Sequence, residues 1–253
     1  MCKDERFDLI LQYLKQNKRM SIDEICSFCS VSKETASADL EQLLSGDKII
    51  RTYSGAMYKH NDHERKTENY AKRLTIDSME KRKIAQKAYE LVEEGDMVIL
   101  DTSTTVETFS YSLKYKKCTV ITNSIEVADV LMYSDDVNVF MLGGKINKIH
   151  RFCYGSSTIN ILSNYYADKC FLGALGVSEE GVSVDNEEDA EVMRKMVEQS
   201  KEVIVLADKS KFNRLCHYNV CNLKKVSIII TDELPEEGFI NYLKENGVGL
   251  IVS

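Results

Sequence analysis

Apolar residues recur at helical spacing near the start of the chain. Within residues 5–16, the side chains of Phe7, Ile10, Leu11 and Leu14 recur every three or four positions. That spacing places them on one face of a helix, so residues 5–16 are predicted to form the first helix. The polar residues that follow break the pattern and end it.

Two further helices are predicted from their capping residues. Ser21, with Glu24 three positions later, matches a capping box and begins a short helix that ends near Ser30. Ser32 then caps a third helix, which runs to about Leu44. The residues predicted to face inward from this third helix are Ala36, Leu40, Leu43 and Leu44.

A hairpin is predicted directly after the three helices. Residues 48–60 read as two short strands joined by a turn at Ser54 and Gly55. Three helices followed by a hairpin within about 55 residues are typical of a winged helix-turn-helix that binds DNA. An unrelated small helical module is the alternative.

The pattern changes beyond residue 95. Short runs rich in β-branched residues alternate with helix-length segments, which predicts a parallel sheet covered on both faces by helices. The predicted strand segments are 97–101, 118–124, 138–144, 167–177, 202–210, 225–232 and 248–253. The fold class is therefore α/β, with an N-terminal winged helix-turn-helix followed by a doubly wound, mostly parallel sheet.

A charge-dense stretch separates these two parts. We predict a DNA-binding domain at 1–59, a linker at 60–78 and an α/β domain at 79–253. The chain has 253 residues and a net charge of −7, but its first 60 residues hold nine basic and nine acidic side chains. This neutral module makes a weak electrostatic footprint for nucleic acid, so binding would depend on local placement and on a homo-oligomer.

Cysteine usage and the N-terminal residues indicate the compartment. The eight cysteines accompany no apolar secretory segment, so we expect reduced thiols in a cytoplasmic protein. No apolar run reaches the length of a membrane helix. Cys26 and Cys29 have the spacing of a redox or zinc motif, but the same spacing faces one side of a helix, and we interpret them as core residues. We expect neither a metal nor a cofactor.

Polar residues and glycines follow four of the predicted strands. Ligands bind at the carboxyl ends of strands in open α/β sheets, where hydroxyl groups, helix N-termini and close backbone approach can hold an anion. Together these segments predict a site for a small polyhydroxy anion. The four segments are 101–105, 122–124, 142–145 and 208–211.

The chain resembles the DeoR-type bacterial transcriptional regulators over almost its whole length. The matching residues in the N-terminal part are Val31, Ser32, Thr35, Asp39, Leu40, Leu43, Gly46, Ile50, Arg51, Gly55 and Ala56. Those in the C-terminal part include Arg73, Glu80, Lys81, Gly95, Asp96, Asp101, Thr104, Thr105, Thr122, Asn123, Gly143, Gly144, Gly155, Asp168, Gly173, Asp208, Ser210 and Lys211. The resemblance implies an operator-binding domain and a sensor domain similar to the sugar-phosphate isomerase and CoA-transferase fold.

The resemblance also implies a function. Its usual output is repression of a sugar-utilisation operon, controlled by a phosphorylated sugar. The residues we expect at the DNA are Lys18, Arg19, Ser32, Lys33, Thr35, Ser37, Arg51, Ser54 and Gly55. Those we expect at the effector are Asp101, Ser103, Thr104, Thr105, Thr122, Asn123, Gly143, Gly144, Lys145 and Lys211.

Three departures from the family pattern bear on these expectations. Ser37 and Ala38 stand where the family usually has two arginines, which removes two bidentate donors from the recognition helix. The wing reads Tyr-Ser-Gly-Ala at 53–56 instead of His-Gly-Gly-Ala. Ser103 replaces the usual glycine of the ligand loop, where its side chain either adds a donor or crowds a phosphate.

Two other functions remain open at this point. A sugar-phosphate isomerase would need carboxylates for proton transfer, and its candidate acid and base groups are Asp101, Glu187, Glu188 and Lys211. Acidic groups beside a binding loop more often hold sugar hydroxyls, and an enzyme would have no use for the N-terminal module. A ligand sensor with a degenerate DNA module is the other alternative, motivated by Ser37 and Ala38.

Overall fold

The computed structural model describes residues 3–17, 19–45, 49–52, 55–58 and 78–253. Several expectations therefore lie outside the described residues. They are the predicted contacts of Lys18 and Ser54 and nearly all of the predicted linker at 60–78. The chain separates into two compact units, residues 1–69 and 70–253, called here the N-terminal and C-terminal units.

In its described residues, the N-terminal unit has the three predicted helices and a small antiparallel sheet that includes the predicted hairpin strands. The helices are α1 (Lys3–Asn17), α2 (Ile22–Cys29) and α3 (Lys33–Ser45), and the strands are β1 (Arg19–Ser21), β2 (Ile49–Thr52) and β3 (Gly55–Tyr58). The strand order is β1-β3-β2, with both pairings antiparallel. Strand β1 was not predicted, because three residues between two helices carry no periodicity.

The predicted helix caps of this unit are confirmed. The Ser21 hydroxyl accepts from the Glu24 N–H at 3.2 Å, and the Glu24 carboxylate accepts from the Ser21 N–H at 2.7 Å. Ser30 closes α2 in the left-handed region with φ 54°. The Ser32 hydroxyl accepts from the Thr35 N–H at 3.3 Å at the start of α3. Local side-chain bonds therefore set where these helices begin.

The predicted core of α3 is correct at three of four positions. Ala36, Leu40 and Leu43 are buried, together with Ile10 and other residues of the unit. The prediction for Leu44 was wrong, because its side chain is 43% exposed. Spacings of four and three keep the first three residues on one stripe, whereas the next residue is rotated by about 100° around the helix.

One long-range ion pair fastens α1 to α3. The Arg6 guanidinium donates to both carboxylate oxygens of Asp39, at 2.8 and 3.1 Å. The side chains are 14% and 5% exposed, so the pair is shielded from water. A bidentate pair of this kind is directional as well as charged, and it fixes the relative position of two helices that are 33 residues apart in sequence.

The C-terminal unit is built on a seven-stranded parallel sheet. Its strand order is β15-β14-β12-β9-β4-β5-β6. These strands are β4 (Met97–Leu100), β5 (Cys118–Thr122), β6 (Val137–Met141), β9 (Ala167–Gly173), β12 (Ser200–Leu206), β14 (Ile228–Thr231) and β15 (Gly249–Val252). All seven predicted strand segments are confirmed.

Helices cover both faces of this sheet, which confirms the doubly wound prediction. They are α4 (Ser78–Glu90), α5 (Thr104–Leu113), α6 (Ile125–Leu131), α7 (Ser156–Leu162), α8 (Glu187–Glu198) and α9 (Glu237–Glu245). On β4, Val98 and Leu100 pack with residues of α4, α5 and α6. Ile99 belongs to the other core, which includes residues of α7, α8 and α9. Alternate side chains of one strand thus enter opposite cores.

Short antiparallel strands lie outside the seven-stranded sheet, and they were not predicted. Strands β7 (Lys145–Asn147) and β8 (Phe152–Tyr154) form a two-stranded ribbon, and β10 (Gly176–Ser178), β11 (Gly181–Val184) and β13 (Tyr218–Cys221) form a small sheet. Helix α4 ends at Glu90, and Gly95 adopts φ 90° in the turn that leads into β4.

The cysteines behave as small apolar residues. Cys118 and Cys170 are buried in β5 and β9, as expected, and Cys29 is buried in the helical core. Within the described ranges, no three metal-ligating side chains come together. In the same ranges, none of the helices combines the length and the apolar character needed to span a membrane.

We predict that the Arg6–Asp39 pair is essential to the stability of the N-terminal unit. Asp39→Ala leaves a shielded guanidinium without its bidentate acceptor, which should cost about 2–3 kcal/mol. Hydrogen exchange of the α1 and α3 amides in the full chain measures this loss. Glu41→Ala, an exposed acidic position on the same helix, is the matched control. Equal exchange in the two variants would show that the pair contributes nothing.

Candidate functional site

The order of the strands creates a crevice between β4 and β9. From β4 the chain proceeds to β5 and then to β6 on one side, whereas β9, β12, β14 and β15 add on the other side. Connections therefore leave in opposite directions at β4, and ligands bind at such switch points, outside the carboxyl ends of the strands. The predicted loop that begins at Asp101 lies at this crevice.

Asp101 joins the two loops that border the crevice. Its carboxylate accepts from the Ser103 N–H at 2.9 Å and from the Gly173 N–H at 2.7 Å. The side chain is only 2% exposed. Both oxygens are engaged with the backbone, so Asp101 positions the loops after β4 and β9. This arrangement does not present the carboxylate to a substrate as an acid or a base.

Burial dominates the protonation of Asp101. Burial is the largest cause that raises its pKa, and the charge of nearby Asp189 acts in the same direction, while the N–H groups of Ser103 and Gly173 lower it. The net effect is a pKa of about 7 instead of the usual 3.8. Desolvation disfavours the charged carboxylate, and hydrogen bonds to that form favour it. The folded protein therefore holds this proton to a much higher pH than an exposed aspartate would.

Helix α5 begins at the crevice. The Ser103 hydroxyl caps it by accepting from the Val106 N–H at 3.2 Å. Thr104 and Thr105 are the first two helical residues, and the first N–H groups of a helix have no partner within it. With the helix dipole, these groups favour an anion. The departure at Ser103 thus provides a helix cap.

Gly173 is a site residue that the strand-end analysis missed. A Cβ atom built on it would lie 2.1 Å from the Ser103 side chain, so only glycine lets the two loops approach. The residue was part of the family pattern, but nothing local marks it as a partner of a loop 72 residues earlier.

Thr122 ends β5 and Asn123 follows it, and both side chains are fully buried. The Thr122 hydroxyl donates to the Leu100 carbonyl at 2.8 Å and accepts from the Ser124 N–H at 3.0 Å. The Asn123 amide donates to the Cys153 carbonyl at 2.9 Å. These groups therefore hold the end of β5 against β4 on one side and against β8 on the other.

Of the two glycines after β6, Gly144 is closely packed, whereas a Cβ atom on Gly143 would meet open space. A Cβ atom on Gly144 would lie 2.1 Å from the Thr158 hydroxyl, and that hydroxyl donates to the Gly143 carbonyl at 2.9 Å. We expected this pair to admit a ligand, but the close approach at Gly144 is to α7 of the same unit. Lys145 comes next, with an exposed side chain at the start of β7.

The predicted effector residues fall into a central group near β4 and β5 and two outlying positions, one after β12 and one after β6. Lys211 follows β12, where its ammonium lies 3.3 Å from the Asp208 carboxylate. Lys145 follows β6, four strands away from β12. At about 4.8 Å per strand, the two backbones are about 19 Å apart, so one phosphate group cannot lie against both strand ends. The central group is Asp101, Ser103, Thr104, Thr105, Thr122 and Asn123.

The first turn of α8 brings carboxylates to the same edge. The Thr102 hydroxyl donates to Asp189 at 3.4 Å, and the Asn147 amide donates to Glu188 at 3.3 Å. Glu187, the third acidic residue of this turn, is exposed. From the sequence, Glu187 and Glu188 were candidates only as acid or base groups, because about 85 residues separate them from β4 and no local pattern indicates the contact.

The described DNA-facing candidates lie at the start of α3 and on the small sheet. Lys33 forms an ion pair with Asp23 of α2 at 2.7 Å, and both side chains are more than 70% exposed. The Ser32 and Thr35 hydroxyls lie 3.2 Å apart, and Ser37 is half-buried on the same helix. The backbones of Arg19, Arg51 and Gly55 lie in β1, β2 and β3.

The exposed face of α3 has few basic groups. Lys33 is accompanied by the acidic residues Glu34 and Glu41, with Ala38 and Gln42 on the same exposed surface. Acidic side chains repel phosphate, so the described part of this helix has no electrostatic advantage at a duplex.

We predict that Asp101 makes the C-terminal unit less stable as pH rises. Its unfolded carboxyl ionises near pH 4, whereas the folded one keeps its proton until about pH 7, so stability is lost between these values. The thermal midpoint should fall between about pH 4 and pH 7, and Asp101→Asn should flatten that slope. Asp135→Asn, at an exposed position, is the control. An unchanged slope in Asp101→Asn would contradict the assignment.

Comparison with known proteins accounts for both units. Residues 6–62 match the model of the DeoR-like helix-turn-helix domain, and residues 76–233 match that of the DeoR C-terminal sensor domain. A solved structure of ribose 5-phosphate isomerase A from Methanocaldococcus jannaschii aligns with 52% of this chain and 53% of its own, at TM-score 0.40 and 21% identity. That similarity is too low to support a conclusion.

Curated relatives match along the full length. The HTH-type transcriptional repressor GlcR of Bacillus subtilis is 44% identical, over 100% of this chain and 97% of its own. The putative aga operon transcriptional repressor of Escherichia coli O157:H7 is 31% identical, over 98% and 93%. The L-fucose operon activator of Haemophilus influenzae is 29% identical, over 96% and 97%. These relatives are named as transcriptional regulators, and the chain belongs to the DeoR family of helix-turn-helix transcriptional regulators.

Proposed function

We propose that this regulator represses a sugar-utilisation operon and that a phosphorylated sugar controls its binding to the operator. The observation that carries the effector half is the start of α5 at the switch point, bordered by the Asp101–Gly173 connection. The similarity to repressors named for sugar operons supports the same output. Repression is preferred to activation because GlcR, at 44% identity, is named a repressor.

The effector half follows from the chemistry of the crevice. The N–H groups of Thr104 and Thr105 bind the phosphate, because they start a helix whose dipole favours an anion. Lys211 is two strands from β4, on the β9 side, and contributes positive charge from there. Asp101 acts indirectly, by holding the two loops in place.

The DNA half depends on the placement of a few groups. Ser32, Thr35 and Ser37 supply hydroxyls near the N-terminal half of α3, and Lys33, Arg19 and Arg51 supply charge. Phosphate contacts position such a module, and base contacts specify the sequence. Because one protomer offers few cations, we infer that a homo-oligomer doubles the contacts on two operator half-sites.

Selection of bound DNA from a random pool tests this function. The full-length protein is incubated at low salt with and without glucose 6-phosphate, glucosamine 6-phosphate or ribose 5-phosphate. We expect one sequence, containing two half-sites, to be enriched, and one of these compounds to change its affinity at least tenfold. Enrichment of no sequence would favour an interaction module instead. Enrichment that none of the compounds affects would remove the effector half.

We predict that Lys33 contacts operator phosphate and that Asp23 restrains it. Lys33→Ala should weaken operator binding roughly three- to tenfold and reduce the salt slope by about one. Asp23→Ala should strengthen binding, since it frees the ammonium and removes a negative charge. Lys87→Ala is the matched control, because this lysine of α4 is likewise paired with a carboxylate, that of Glu90. Weaker binding by Asp23→Ala would contradict the assignment.

A further inference from the structure

Asn123 carries a buried acceptor that the protein does not satisfy. Its side chain is fully buried, and its Oδ1 has no hydrogen-bond partner among the residues that the structure describes. The side-chain amide nitrogen donates to the Cys153 backbone carbonyl, and the Cys153 N–H donates to the backbone carbonyl of Asn123 at 2.9 Å. Rotating the amide would bring two carbonyl oxygens together, so these contacts fix its orientation. An unsatisfied acceptor of this kind favours a partner that donates a hydrogen bond.

Two further acceptors at this edge receive long hydrogen bonds from neighbouring side chains. Asn147 donates to Glu188 at 3.3 Å, and Thr102 donates to Asp189 at 3.4 Å. Typical bonds from N–H and O–H donors are 0.3 to 0.6 Å shorter, about 2.7–3.0 Å, so these are weak contacts. Stronger donors can replace them.

These contacts form a closed ring at the edge of the sheet. Asn123 binds β8, and Asn147 on the paired strand β7 binds Glu188 of α8. The next residue of α8, Asp189, accepts from Thr102, which follows β4. The ring returns from β4 to β5 through the bond between Thr122 and Leu100.

The contacts that hold β8 in the ring differ from those that hold α8. Strand β8 and the residue before it are hydrogen-bonded through the backbone to the segment after β5. The Cys153 N–H donates to the Asn123 backbone carbonyl, and the Ile125 N–H donates to the Arg151 carbonyl. At α8, the contacts of Asn147 with Glu188 and of Thr102 with Asp189 join side chains. Because Asn123 Oδ1 is inaccessible in the closed ring, a ligand must displace the weaker side to reach it.

We propose that hydroxyl groups of the effector replace Asn147 and Thr102 on Glu188 and Asp189, and that one hydroxyl donates to Asn123 Oδ1. This inference rests on the proposed function and deepens it, because it assigns recognition of the sugar as distinct from the phosphate. Three acceptors select a ligand rich in O–H donors, which inorganic phosphate is not. Glu188 and Asn123 are therefore specificity residues, and the start of α5 holds the phosphate.

Binding to full-length protein without DNA tests the proposal by calorimetry. The ligands are inorganic phosphate, glucose 6-phosphate, glucosamine 6-phosphate and ribose 5-phosphate. We expect Asn123→Ala and Glu188→Ala to lower the affinity for the sugar phosphate that binds wild type best by at least tenfold, with phosphate affinity changed less than twofold. Glu187→Ala, one position away and exposed, is the matched control and should leave both affinities unchanged.

Three results would overturn the proposal. They are equal losses for phosphate and sugar phosphate, unchanged sugar-phosphate affinity in both variants, or a wild type that binds phosphate but none of the sugar phosphates. Glu188→Gln, which retains an acceptor oxygen, should recover part of the loss if folding is intact. Unchanged sugar-phosphate affinity in both variants, with operator control intact in the wild type, would sink only this inference, whereas sugar binding without an operator response would sink only the proposed function.

Discussion

The C-terminal unit depends on a buried carboxylate that ties two strand ends together at the switch point of the sheet. Asp101 accepts from the backbone on both sides of the crevice, at Ser103 and Gly173. These bonds place the start of α5 beside the end of β9, and the missing side chain at Gly173 makes that approach possible. Burial works against the charge of this carboxylate, while the two N–H groups work for it. The site is thus organised by a group that a ligand does not need to touch.

The same principle applies at the neighbouring strand. Thr122 and Asn123 were expected to contact the effector, yet the Thr122 hydroxyl is bonded within the protein and the amide nitrogen of Asn123 anchors β8. Polar side chains at strand ends therefore have two structural roles. Some hold the loops, and others retain acceptor capacity that only a further donor can use. Asn123 does both, because its amide nitrogen is satisfied and its oxygen is not.

In the N-terminal unit, local contacts start the helices and a long-range contact sets how two of them pack. Capping bonds at Ser21 and Ser32 start two helices from neighbouring residues. The Arg6–Asp39 pair then sets how α1 and α3 pack. A third contact, between Lys33 and Asp23, lies on the surface and restrains a cation of the recognition helix. Exposed pairs of this kind add little to stability. The Lys33–Asp23 pair matters because Asp23 partly neutralises the charge of Lys33.

The sequence alone determined the fold class, the order of the predicted helices and main-sheet strands, the N-terminal helix caps and the strand ends at which polar residues gather, because periodicity and capping are local properties of the chain. It placed Leu44 wrongly, since the width of a buried stripe depends on what packs against it. Only the tertiary structure decided that Lys145 and Lys211 lie at opposite ends of the edge, and that Gly173 meets Ser103. Contacts such as Asn147 with Glu188 join residues 41 positions apart, and no local pattern records which distant donor an acceptor will meet.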